Sequence, residues 1–167
     1  MHPLEDQLYA ALTALGIAFD VMEHPAVFTV EESHAIHEAM PGVHSKNLFL
    51  KDAKGVFWLV TVPADLQVDL KALPAAMGAA RLSFGKAEDM ERLIGVTPGS
   101  VTPLAAIADA DHQVRVVLDT RLAGADRVNC HPLRNTATLG LAGADLVRAL
   151  RHWGHDPQIV TVPARAG

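Results

Sequence analysis

Leucines at positions 4, 8, 12 and 15 recur at helical spacing with Gly16 behind them, which predicts an N-terminal helix that stops there. Phe19-Asp20-Val21-Met22 alternates apolar and polar positions and predicts a strand closed by His24-Pro25. Thr29-Val30-Glu31-Glu32 has the spacing of a capping box, so a helix is predicted from there to about Met40, ahead of Pro41-Gly42. Apolar runs at residues 47–51 and 56–62 flank Asp52-Ala53-Lys54-Gly55, a hairpin pattern. Asp69 can cap a helix over residues 70–77, shortened or kinked by Pro74 and ended by Gly78. Beyond it the pattern predicts a short strand at 81–84, a helix at 88–94 stopped by Gly95, and strands at 114–119, 127–129 and 136–139. Leu146, Leu150 and Trp153 mark a last helix ending at Gly154, and residues 159–162 a final strand. Strands and helices interleave without repeat or linker, and the hairpin argues against a purely parallel sheet. The expected fold is α/β: one domain over residues 1–167, with a mixed, largely antiparallel sheet flanked by helices.

Composition adds bounds rather than a function. A chain of 167 residues, half apolar and one fifth charged, can bury a full core. No apolar run reaches the roughly 18 residues of a membrane-spanning helix, and the N-terminus lacks a basic-then-apolar leader. With a single cysteine, Cys130, no internal disulfide is possible, and a cytoplasmic location without membrane contact is expected. The net charge of −5, with cations scattered along the chain, opposes tracking of long duplex DNA or RNA. A nucleic-acid partner would have to offer few phosphates, as a single-stranded end does.

Three short polar segments stand out from this apolar background. In His44-Ser45-Lys46-Asn47-Leu48-Phe49-Leu50, the lysine stands at the mouth of a predicted strand and offers a compact cation to a phosphate or a ribose-linked carbonyl. Gly95-Val96-Thr97-Pro98-Gly99-Ser100-Val101-Thr102-Pro103 carries two glycines and two prolines in nine residues, a stiff turn whose amides can hold an oxyanion or a water. In Asn129-Cys130-His131-Pro132-Leu133-Arg134-Asn135-Thr136, strand alternation sends Cys130 and His131 to opposite faces, so no Cys–His nucleophile pair is expected. Cys130 is expected to be buried, and Asn129 and His131 to share the face toward a cleft. His34 and His37 share a helix, and His152 and His155 repeat the spacing, but neither pair has a third ligand at motif spacing, so no metal site is expected. Ser45 and Ser100 lack an evident base, and no phosphate-binding glycine fingerprint predicts a nucleotide cofactor.

In their joint order these three segments resemble the freestanding prolyl-tRNA editing domains, the YbaK/ProX-like family, and within it the alanyl-tRNA(Pro) deacylases. The similarity runs from the N-terminal helix to Gly154-His155-Asp156-Pro157; Leu104 departs from it, where many relatives carry an aromatic residue. It implies a trans-acting hydrolase without cofactor, acting on the acceptor end of mischarged tRNA(Pro), with prolyl-tRNA synthetase as a further partner. By the same resemblance Lys46, Gly99 and Ser100 are the catalytic candidates, and Asn47, Gly95, Pro103, Asn129 and His131 the substrate-binding ones. The implied chemistry is hydrolysis by a positioned water, with backbone amides around Gly99-Ser100 stabilising the oxyanion and proline excluded by size. Two alternatives stay open: editing of cysteinyl-, seryl- or threonyl-tRNA by the same fold, and a non-catalytic module that docks on tRNA or a synthetase.

Overall fold

The computed structural model describes residues 1–27 and 30–165. Its helices are α1 (Glu5–Ala14), α2 (Val30–Ala39), α3 (Leu73–Met77), α4 (Ala87–Ile94), α5 (Thr120–Ala123) and α6 (Gly143–His152). Its strands are β1 (Phe19–Glu23), β2 (Val43–Asp52), β3 (Phe57–Pro63), β4 (Leu82–Phe84), β5 (Val114–Asp119), β6 (Val128–Cys130), β7 (Ala137–Leu141) and β8 (Gln158–Val160). They form one sheet in the order β1-β7-β6-β2-β3-β5-β8, with β4 added alongside β2. Pairings β1–β7, β6–β7, β2–β3 and β2–β4 are antiparallel; β2–β6, β3–β5 and β5–β8 are parallel. The mixed, mainly antiparallel α/β architecture is therefore the expected one.

Side-chain alternation divides the core between the two faces of the sheet. Leu59 of β3 and Val116 and Leu118 of β5 join the larger cluster, beneath α1, α4 and α6. Trp58, Val60 and Val62 of β3 and Val117 of β5 join a smaller one with Leu73 and Met77 of α3. The β2–β3 hairpin owes its geometry to Asp52, whose Oδ1 accepts from the Lys54 and Val56 N–H groups at 2.9 and 3.0 Å. Its Oδ2 accepts from Trp58 Nε1 at 3.1 Å.

Local differences from the sequence expectation have physical causes. Pro74 occupies the first turn of α3, where its missing N–H is harmless, so it starts a shorter helix instead of kinking a longer one. The capping-box residue Thr29 lies outside the described residues. Behind the glycine-proline segment, residues 103–108 form a 3-10 turn begun by Pro103, with Thr102 Oγ1 accepting from Leu104 N–H at 3.3 Å. Strand β2 starts at Val43, because Val43 and His44 pair with Val128 and Asn129 of β6. Lys46 thus stands inside the strand, opposite Val62, and not at its mouth.

Candidate active site

The sheet is split along one edge of β2. On one side β2 runs unbroken against β3 from Ser45 to Lys51. On the other it pairs with β6 only at Val43 and His44, and with β4 only from Leu50 onward. In an antiparallel ladder, alternate residues turn their backbone groups to opposite sides. Val43 N–H donates to Arg127 C=O and Phe49 C=O accepts from Gly85 N–H, so the odd-numbered residues, Asn47 among them, direct their peptide groups into the split.

The glycine-proline loop closes this gap. Asn47 Nδ2 donates to Val101 C=O at 2.8 Å, while its Oδ1 accepts from the fully buried Thr61 hydroxyl at 2.7 Å. Thr61 thereby fixes which end of the Asn47 amide faces the loop. Gly99 takes φ +92°, open to glycine but strained for a side chain, and its N–H has no partner among the described residues.

Two adjoining cavities flank the split. One, of about 350 Å³, is lined by His24, His37, His44, Lys46, Asn129 and His131, among others. A second, of about 200 Å³, is lined by Ser45, Lys46, Asn47, Gly99, Val101 and His131. Ser45, Lys46, Asn47 and His131 belong to both, so they stand at the junction. The Lys46 ammonium has no hydrogen bond or ion pair with any described residue.

Each histidine of the larger cavity is oriented by a partner. His131 Nδ1–H donates to Ala137 C=O at 2.9 Å, which leaves the Nε2 lone pair without a partner among the described residues. Burial pushes the His131 imidazole below its ordinary pKa of 6.5, so it is neutral at pH 7. His24 Nδ1–H donates to Pro25 C=O, and its Nε2 accepts from Thr138 Oγ1, both at 2.8 Å. His44 Nε2–H donates to Met40 C=O at 2.9 Å, and its ring stacks on His37 at 4.0 Å. Burial also lowers the His37 pKa.

The remaining candidates from the sequence are placed differently. Asn129 lines the larger cavity, but its amide is engaged as a brace: Nδ2 donates to Pro41 C=O at 3.0 Å and Oδ1 accepts from Arg127 Nε at 3.1 Å. Ser100 is buried and its N–H donates to Thr97 C=O at 3.0 Å, so of the expected amide pair only Gly99 is free to meet an oxyanion. Gly95 caps α4 at φ +68°, with its carbonyl 2.6 Å from His2 Nε2, and lines neither cavity. Pro103 is buried at the start of the 3-10 turn and Leu104 behind it is fully enclosed, so both support the loop from the core side. Cys130 is buried as expected; burial pushes its thiol up to about 12, which removes it as a nucleophile.

Sequence reasoning missed His24, His37, His44 and Thr138 as cavity residues. Helical spacing could group His34 with His37, yet the two diverge: His34 pairs with Glu38 at 3.0 Å in solvent, while His37 faces the cavity. Only the packing of α2 across the split decides this.

A family model described as aminoacyl-tRNA editing domain matches residues 24–149, a stretch that contains the split, the loop and the histidine segment. The chain belongs to the aminoacyl-tRNA editing domain family. It is 41% identical over 162 residues to a prolyl-tRNA synthetase associated domain-containing protein 1 of Bos taurus, covering 94% of each chain. It is 35% identical over 147 residues to the prolyl-tRNA editing protein ProX of Acetoanaerobium sticklandii, covering 87% of this chain and 90% of that one. Among solved structures, one described as a candidate trans-editing enzyme for prolyl-tRNA synthetase superposes with a TM-score of 0.74 at 21% identity, over 99% of both chains. That likeness establishes the shared editing-domain fold.

Proposed function

We propose that this editing domain acts in trans as an aminoacyl-tRNA deacylase and hydrolyses the ester of alanine mischarged on tRNA(Pro). The observation that carries the reading is the convergence, at one split in the sheet, of an unpaired lysine ammonium, an unpaired glycine N–H and a neutral imidazole lone pair. A synthetase pocket built for proline cannot strongly reject alanine, since a methylene or two is worth only about 1–3 kcal/mol. A second pocket that admits alanine and excludes proline by size supplies the missing discrimination. The joint cavity is of a size for the aminoacyl end of a tRNA rather than for a duplex.

The ester is already activated, so positioning supplies most of the catalysis. A water held by His131 Nε2 attacks the carbonyl carbon and gives its proton to that nitrogen. Gly99 N–H receives the developing oxyanion, and Lys46 holds the ribose or the terminal phosphate. The bond to the ribose oxygen then breaks, and that oxygen leaves with the proton. Prolyl-tRNA synthetase is a fitting partner, because tethering would raise the local concentration of an acidic chain with weak intrinsic RNA affinity.

A deacylation time course on alanyl-, cysteinyl-, seryl- and prolyl-tRNA(Pro) tests this reading. Loss of alanine alone supports it, loss of another amino acid moves the substrate, and loss of none leaves a binding module as the better account. Two further results are expected. Because burial lowers the His131 pKa, the acid limb of kcat/KM should fall below the ordinary imidazole value of 6.5; a limb at or above that value would exclude His131 as the group holding the water. Gly99→Ala forces a β-carbon onto φ +92°, a strain of about 1–2 kcal/mol, and should slow hydrolysis about tenfold as the loop turns its amide away. Unchanged kcat in this variant would remove the Gly99 N–H from the mechanism.

A further inference from the structure

The turn that presents the Gly99 N–H has little packing of its own. Thr97, Pro98 and Gly99 are exposed, and the turn is closed by Ser100 N–H donating to Thr97 C=O at 3.0 Å. Val96 and Ser100 on either side are buried, and a side-chain hydrogen bond secures each end of the loop. At the inner end Asn47 Nδ2 donates to Val101 C=O at 2.8 Å. At the outer end Gly95, the cap of α4, has its C=O 2.6 Å from His2 Nε2.

The chemistry of His2 allows one arrangement of that contact. Leu4 N–H can only donate, and it reaches His2 Nδ1 at 3.0 Å, so Nδ1 carries a lone pair. The ring proton is therefore on Nε2, which donates to the Gly95 carbonyl. A donor placed there serves a carbonyl that the end of a helix leaves without an intrahelical partner.

His2 also reaches the other arm of the site. Its backbone N–H donates to Glu5 Oε1 at 3.2 Å, and the two Glu5 carboxylate oxygens accept from Arg134 at 2.7 and 3.0 Å. Arg134 in turn donates to Thr136 Oγ1 at 3.0 Å, in the segment that carries His131. One residue thus links the loop that offers the Gly99 N–H to the segment that offers the His131 lone pair.

We infer that His2 is a positioning residue: through the Gly95 carbonyl it sets the Gly99 amide relative to His131, and so orients the oxyanion donor. This assignment rests on the deacylase reading of the site. His2 lines neither cavity, so its loss should weaken an interaction made in the transition state and leave substrate binding alone.

Two variants separate this duty from simple support of α1. His2→Gln keeps an N–H donor at the reach of Nε2 but has no acceptor in the place of Nδ1. His2→Asn keeps an acceptor two residues before Leu4 N–H, as in an Asx turn, but is too short for Gly95. With mischarged tRNA, His2→Asn should lower kcat about fivefold with KM within about twofold, and His2→Gln should restore kcat to within about twofold of wild type. A His2→Gln no faster than His2→Asn overturns the inference, as does a loss carried by KM. Should the wild-type chain hydrolyse no mischarged tRNA, the deacylase reading fails, and amide hydrogen exchange still decides the role of His2. Ser100 N–H should then exchange about fivefold faster in His2→Asn than in wild type or His2→Gln, and equal exchange in all three overturns the inference.

Discussion

Lys46→Ala is expected to reduce deacylation of mischarged tRNA by about 100-fold or more while the domain stays folded. Both halves follow from the geometry. The residue is held in β2 by its backbone pairing with Val62, which alanine preserves. Its ammonium has no partner among the described residues, so removing it strands no buried group, and the stability change should stay within about 0.5 kcal/mol. That same freedom makes it the cation available to a ligand at the junction of the two cavities. Kinetics can separate its duties: loss mainly in KM would mean it grips phosphate or ribose throughout, and loss in kcat that it meets charge arising only in the transition state. Lys46→Arg should recover little, because a planar fork does not place its charge where a compact ammonium does. Near-normal turnover by folded Lys46→Ala would end the catalytic role of the residue.

How far the sequence discloses the fold and site depends on the range of the interactions involved. Elements set by local chemistry were legible: Gly16, Gly78 and Gly95 all adopt positive φ behind their helices, and the Asp52 turn announces the hairpin. The 3-10 turn at 103–108 was not, since Pro103 opens it just as it would open a loop. At the site, Lys46, Asn47, Gly99 and His131 were legible as polar segments on apolar strands, and the fold brings them together. The placement of Ser100 and Gly95 was not legible, because no spacing rule shows that the one amide bonds Thr97 and that the other residue caps a helix away from the split. His24, His37 and His44 come from three separate segments and meet only through tertiary packing.

Arg134→Ala is expected to cost about 3–5 kcal/mol, the largest stability loss foreseen, and to lower Tm by roughly 10 °C. Arg134 Nε and Nη2 donate to the two carboxylate oxygens of Glu5 at 2.7 and 3.0 Å, and its Nη atoms also bind both oxygens of Glu23 at 2.6 Å. The Glu5 side chain is fully buried, whereas that of Glu23 is 70% exposed, so the penalty arises at Glu5 and Glu23→Ala should cost under about 1 kcal/mol. Without Arg134, the buried Glu5 carboxylate keeps only Tyr9 O–H at 2.6 Å and His2 N–H at 3.2 Å. The pH dependence gives the sharper test. In the native protein, burial alone would raise the Glu5 pKa, but hydrogen bonds from Arg134 and Tyr9 outweigh it and hold the carboxyl below its ordinary 4.5. That contribution is present above 4.5 and is lost as pH falls through the lowered native value. In Arg134→Ala burial is no longer offset, the pKa moves above 4.5, and the variant takes up a proton that relieves the stranded charge. The gap between variant and native urea midpoints should therefore narrow from pH 7 to pH 4. An equal gap at both values would show that Arg134 acts by packing alone. Activity should fall together with stability, because Arg134 also donates to Thr136 Oγ1 at 3.0 Å and so anchors to α1 and β1 the segment that carries His131.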